Sequence, residues 1–161
     1  MITQSLLDQA ALLLDACRAR HVKLATAESC TGGLIAAVLT AIAGSSDVVE
    51  RGFVTYSNEA KAELLGVPMA LIDAVGAVSE PVAQRMAEGA LQRSHADIVV
   101  SVTGVAGPGG GSAEKPVGLV WFGLAQRGQP VASESRVFPG DRTAIRAATV
   151  EQAFALIRAR L

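Results

Sequence analysis

Cysteine and histidine are scarce in this sequence, with two of each in 161 residues. Cys17 falls on a predicted helix and Cys30 in a predicted turn. Reduced thiols in a cytoplasmic protein are therefore expected in preference to a disulfide. The histidines, His21 and His95, lie far from the cysteines and from each other, which leaves no ligand set for structural zinc. An excess of basic charge is also missing: 14 basic residues stand against 15 acidic ones. The arginines form only a loose group at Arg136, Arg142, Arg146, Arg158 and Arg160. No nucleic-acid partner is expected without a basic stripe. Apolar runs stay short of the roughly 20 residues that cross a bilayer, so no membrane span is expected. The N-terminus shows no basic region followed by an apolar core and a cleavage site, hence no secretory signal. There is no internal repeat and no linker. One domain over residues 1–161, long enough to bury a sizeable core, is the expectation.

Half of the residues are apolar, and their periodicity marks the elements. Leu6, Leu7, Ala10, Leu13, Leu14 and Cys17 form one face of a helix over Thr3–Arg20. A strand over Val22–Ala27 and a helix over Thr31–Ala43 follow, the latter ended by Gly44. Val48–Tyr56 alternates well enough to be a strand, with Val49, Gly52, Phe53 and Val54 within it. Ser57 and Asn58 can cap a short helix over Glu59–Leu65, and Pro68 opens another to Val75. Ser79-Glu80-Pro81 is a helix start, and Val82, Met86, Ala87, Ala90 and Leu91 supply its buried face. Asp97–Thr103 is a continuous apolar run suited to a central strand. Val117–Ala125 and Val131–Phe138 read as a hairpin around Arg127-Gly128-Gln129-Pro130. Asp141 can cap a last helix with Ile145, Ala148, Ala153, Phe154, Ile157 and Leu161 inward. The order α-β-α-β-α-α-α-β-β-β-α predicts an α/β domain with a mixed sheet and helices on both sides.

The chemistry concentrates in Leu24–Leu39, LATAESCTGGLIAAVL. There a strand passes through Glu28, Ser29, Cys30, Thr31, Gly32 and Gly33 into a helix. A helix start offers unpaired N–H groups and a positive dipole end to a phosphate or an oxyanion. The plain alternative is a turn capped by Ser or Thr. A second glycine-rich stretch, Gly104–Gly111, matches neither the GxxxxGK[ST] nor the GxGxxG template and is equally readable as a surface loop. Both histidines precede strands, whereas Ser29 and Thr103 follow them, and ligands favour the carboxyl ends of parallel strands. A Ser–His pairing is therefore disfavoured. Lys61 remains as a base, in the first turn of the helix after Asn58, where dipole and burial would lower its pKa. Tyr56, the only tyrosine, could relay or orient the proton. A solvated surface lysine is the alternative. A cysteine hydrolase using Cys30 lacks an activating histidine.

AESCTGG at 27–33, GSS at 44–46, RGFVTYSNEAK at 51–61, GAVSEP at 76–81, TGVAGPGGG at 103–111, EKPVGLVWF at 114–122 and GDR at 140–142 occur in this order. Together they resemble the C-terminal domain of the CinA competence/damage-inducible proteins over nearly the whole chain. Longer members of that family carry a further N-terminal domain. The resemblance implies a three-layer α/β/α domain and a stand-alone amidase without metal or other cofactor. Such an enzyme hydrolyses nicotinamide mononucleotide to nicotinic acid mononucleotide and ammonia. It implies Ser29 as nucleophile, Lys61 as base and Tyr56 beside them. Thr31, Gly32, Gly33, Thr103, Gly104 and Arg142 would bind the substrate, with Arg142 on its phosphate. A homo-oligomer is expected as well. Asp is more familiar in the family where this chain has Gly109. The rival reading is a non-catalytic module that binds a nucleotide or a partner protein through the same cleft; such a module needs phosphate donors but no base.

Overall fold

The computed structural model describes residues 2–161. Its middle is the apolar run expected to be a central strand, β3 (Ile98–Gly104). Ile98, Val100 and Val102 face one helical layer and Val99 the other, all fully buried. β-Branched side chains at every buried step but Ser101 suit a strand covered on both faces. β1 (Leu24–Glu28) lies beside β3 and is buried at each of its residues. β2 (Val49–Val54) pairs with the other side of β1. β4 (Leu119–Gln126) and β5 (Ala132–Val137) complete the sheet in the order β2-β1-β3-β4-β5. β2, β1 and β3 run parallel, while β4 and β5 are antiparallel to their neighbours. The sheet is mixed, as the element order predicts.

Helices α1 (Gln4–Arg20), α2 (Leu34–Thr40) and α6 (Arg142–Arg158) cover one face. α3 (Asn58–Leu65), α4 (Met69–Val75) and α5 (Glu80–Gln92) cover the other. Three α/β/α layers result. The predicted stripe of α1 is buried at Leu6, Ala10, Leu13, Leu14 and Cys17, and Thr3 caps it by accepting from the Leu6 N–H. Asp141 caps α6 in the same way through the Ala144 N–H. Cys17 and Cys30 are free and buried. No helix among the described residues is long and apolar enough to cross a membrane.

Several local expectations change. α2 begins at Leu34, not Thr31, because Gly32 and Gly33 adopt positive φ and prolong the turn. β2 is an edge strand paired on one side only, so Gly52 and Val54 within it are exposed, Val54 to 49%. Ser57 alone caps α3, accepting from the Ala60 N–H at 3.0 Å, so Asn58 is already helical. Ser79 occupies the N-cap position of α5, yet its hydroxyl donates to the Gly76 carbonyl and caps nothing. In α6, Thr149 and Val150 are the fully buried pair and Ala148 is only partly covered.

The chain leaves β1 through α2 on one face and leaves β2 through α3–α5 on the other. A crevice of the kind that binds ligands in open α/β sheets opens at the carboxyl ends of β1 and β3. Ser29, Thr55-Tyr56 and Thr103-Gly104 all lie at that edge. His21 caps the C-terminus of α1 and His95 precedes β3, both at the opposite edge.

Candidate active site

Where β1 ends, Glu28 is fully buried and its carboxylate gathers five donors. Oε1 accepts from the Thr26 hydroxyl at 3.1 Å and the Ala36 N–H at 2.9 Å. Oε2 accepts from the Thr31 hydroxyl at 2.7 Å and from the N–H groups of Gly33 at 3.1 Å and Ile35 at 3.0 Å. The N-terminus of α2 thus already holds an anion, and it belongs to the chain. Its dipole is answered there, so the site expected for a substrate anion is filled. Thr31, Gly32 and Gly33, expected at the substrate, are not among the residues lining the cleft. Thr31 is fully buried against Glu28, and the Gly33 N–H points at the same carboxylate. Glu28 was missed by the sequence reasoning. Its signal was an acidic residue closing an apolar strand immediately before a glycine-rich helix start.

One residue on, the Ser29 N–H donates to the Val102 carbonyl at 3.0 Å, anchoring the turn to β3. The Ser29 side chain meets Lys61: Nζ lies 3.1 Å from Oγ. Lys61 sits in α3 and is 1% exposed, one of the largest fully buried side chains. Its amine also donates to the carbonyls of Thr55 at 3.0 Å and Tyr56 at 3.4 Å. The surface-lysine alternative is thereby removed. Burial pushes the Lys61 pKa below its ordinary value, with Cys30 and Glu59 pulling the other way. No carboxylate pairs with it, so desolvation dominates. Cys30, 6% exposed, behaves oppositely: burial pushes its thiol up to about 12, and nearby Glu28 adds to the rise. Such a thiol stays protonated and is a poor nucleophile.

These groups open into a cleft of about 210 Å³, lined among others by Ser29, Cys30, Tyr56, Lys61, Thr103, Gly104 and Arg142. Thr103 is 1% exposed and its hydroxyl donates to the Ala77 carbonyl at 2.9 Å. A Cβ on Gly104 would come within 2.7 Å of the Leu119 carbonyl oxygen, so only glycine fits there. Tyr56 is 60% exposed; its hydroxyl accepts from Arg142 Nη2 at 3.0 Å and stays apart from Ser29. What Tyr56 offers Lys61 is its backbone carbonyl. Arg142 also donates to the Gly107 carbonyl at 2.8 Å, which ties α6 to the glycine-rich loop. A second hollow, of about 470 Å³, shares Ala106 and Arg142 with the first. At Gly109 an added Cβ meets nothing within 4 Å, so the backbone there leaves room for a side chain to begin. No group of three or more His, Cys, Asp or Glu among the described residues could hold a metal ion.

A buried lysine against a serine, at the strand ends of this sheet, agrees with the family motifs. Residues 7–161 match the CinA C-terminal domain. The chain belongs to that family. It is 56% identical over 133 residues to the nicotinamide-nucleotide amidohydrolase PncC of Escherichia coli strain K12, covering 82% of this chain and 80% of that protein. It is 54% identical over 136 residues to a CinA-like protein of Akkermansia muciniphila, covering 84% of this chain and 33% of the relative. The chain therefore spans about a third of the length of such longer CinA relatives. Among solved structures, the competence/damage inducible protein CihA from Agrobacterium tumefaciens superposes with a TM-score of 0.94 at 48% identity, covering 99% of this chain and 97% of that one. The CinA fold is thus shared nearly end to end.

Proposed function

We propose that the chain, as one domain over residues 1–161, is a nicotinamide-nucleotide amidohydrolase that converts nicotinamide mononucleotide to nicotinic acid mononucleotide and ammonia. The observation that carries this reading is the 3.1 Å contact between the buried Lys61 amine and Ser29 Oγ. A binding module needs no amine buried against a serine hydroxyl. In the proposed reaction, neutral Lys61 takes the Ser29 proton as Oγ attacks the amide carbon. The resulting ammonium returns that proton to the leaving nitrogen, and ammonia departs from an acyl-enzyme. Neutral Lys61 then deprotonates water, which attacks the ester carbon. The carboxylic acid leaves as Ser29 recovers its proton through Lys61. The Cys30 N–H, next after the nucleophile, is the natural donor to the tetrahedral oxyanion. The test is ammonia release from nicotinamide mononucleotide by the purified protein. A folded protein that releases none would defeat the reading.

In this reading the amide end enters the cleft at Ser29 and the phosphate end lies toward Arg142. The guanidinium is held by Gly107 and Tyr56 and keeps donors free. Arg142→Ala is expected to raise KM for the mononucleotide by about 10- to 100-fold, the worth of a charge-assisted hydrogen bond of about 1.5–3 kcal/mol. The unphosphorylated riboside should be hardly affected. Equal losses on both substrates would make Arg142 structural, through its grip on the glycine-rich loop.

Every step above is assigned to side chains and backbone of the cleft. Dialysis against EDTA is accordingly expected to leave the rate unchanged. A loss reversed by zinc or magnesium would show that a metal takes part.

A further inference from the structure

Beyond the proposed hydrolysis, and resting on it for the role of Ser29, we infer that Glu28 is a positioning residue whose buried carboxylate fixes the turn presenting Ser29 to Lys61. Glu28 is absent from the cleft lining and fully buried, so it acts through its neighbours. A buried carboxylate is costly unless its lone pairs are filled. Here all five partners are donors, two hydroxyls and three backbone N–H groups, a set that matches an acceptor-only anion.

Four of those donors, from Thr31 to Ala36, lie on the far side of the Ser29 turn, and the fifth, Thr26, is on β1. The near side is held by the Ser29 N–H on Val102, and the Gly32 N–H closes the turn on the Ser29 carbonyl at 2.9 Å. The nucleophile is therefore clamped from both directions. Glu28 reaches the base as well. Its backbone carbonyl accepts from the Thr55 N–H at 2.8 Å, and the Thr55 carbonyl is in turn an acceptor for Lys61 Nζ. One residue sets the turn that carries the nucleophile with its side chain and the acceptor that holds the base with its main chain.

The test is Glu28→Gln, which keeps the shape but turns an NH₂ group toward N–H and O–H donors. Circular dichroism and cooperative melting establish that the variant is folded. Its kcat with nicotinamide mononucleotide is expected to fall about 100-fold with KM unchanged, the effect of a nucleophile displaced by about 1 Å. The rate at which a fluorophosphonate probe labels Ser29 should fall in parallel. A residue that only stabilised α2 would lower the melting temperature and leave both rates alone. The labelling arm needs no nucleotide, so a wild type that labels at Ser29 without releasing ammonia defeats the substrate reading and still tests Glu28. If Glu28→Gln does not fold, Thr31→Val removes one donor from Oε2 and should slow both rates by a smaller factor. Wild-type kcat and labelling in Glu28→Gln, or in Thr31→Val where the first is unfolded, overturn the inference. A wild-type Ser29 that neither labels nor turns over overturns it together with the proposed function.

Discussion

Ser29→Ala is expected to lower kcat for ammonia release to background, a loss on the order of 10³-fold or more as for other deleted nucleophiles. The fold should persist. Among the described residues the Ser29 hydroxyl bonds only to Lys61, and the turn itself is held by backbone groups and Glu28. Lys61 would keep the Thr55 and Tyr56 carbonyls as acceptors. The expected change in stability is therefore about 1 kcal/mol, the net worth of one hydrogen bond. Near-normal turnover in Ser29→Ala would exclude the serine mechanism, and the raised Cys30 pKa would then have to be explained away before a thiol replaced it.

Lys61→Met should be as inactive, and for a separable reason. A general base contributes about 10²- to 10⁴-fold, so turnover within about tenfold of wild type would remove Lys61 from the mechanism. Lys61→Arg should fail equally, since guanidinium stays charged. In the wild type, kcat/KM should fall as pH drops, because protonation of Lys61 removes the base. The midpoint of that acid limb should lie below the ordinary lysine value of about 10.4. Stability follows with a definite sign. Desolvation lowers the folded-state pKa, so between that value and the unfolded one the unfolded chain binds more protons. Stability therefore rises with pH across this window. At neutral pH the buried amine is a cost that methionine lacks, and Lys61→Met is expected to melt no lower than the wild type. A much lower melting temperature would mean that the Thr55 and Tyr56 carbonyls facing Nζ depend on their donor.

The strand–helix order was legible because each buried element carries its own periodicity. Leu6 to Cys17 repeat every three to four residues, and Ile98 to Val102 are apolar at nearly every step, which only a strand covered on both faces supports. The edge position of β2 was not legible, because alternation reports one buried face and says nothing about the number of neighbours. The Ser79 hydroxyl shows the same limit in small. Ser-Glu-Pro marks a helix start correctly, but whether the hydroxyl caps the helix or bonds back to Gly76 depends on the path of the preceding turn.

At the site, Ser29 and Lys61 could be named from the turn, the helix start and the family motifs, and the histidines could be set aside by their place before strands. The sequence by itself determined an α/β order, the residue types available for amide chemistry and the strand ends on which they fall. Only the tertiary structure decided their surroundings. It buried Lys61 against Ser29 across 32 positions of chain, turned the Tyr56 hydroxyl toward Arg142, and filled the start of α2 with Glu28 so that Thr31 and Gly33 face inward. The physical reason is common to all three. Local periodicity encodes which face of an element is buried, whereas a hydrogen bond between separate elements depends on the packing that brings donor and acceptor within about 3 Å.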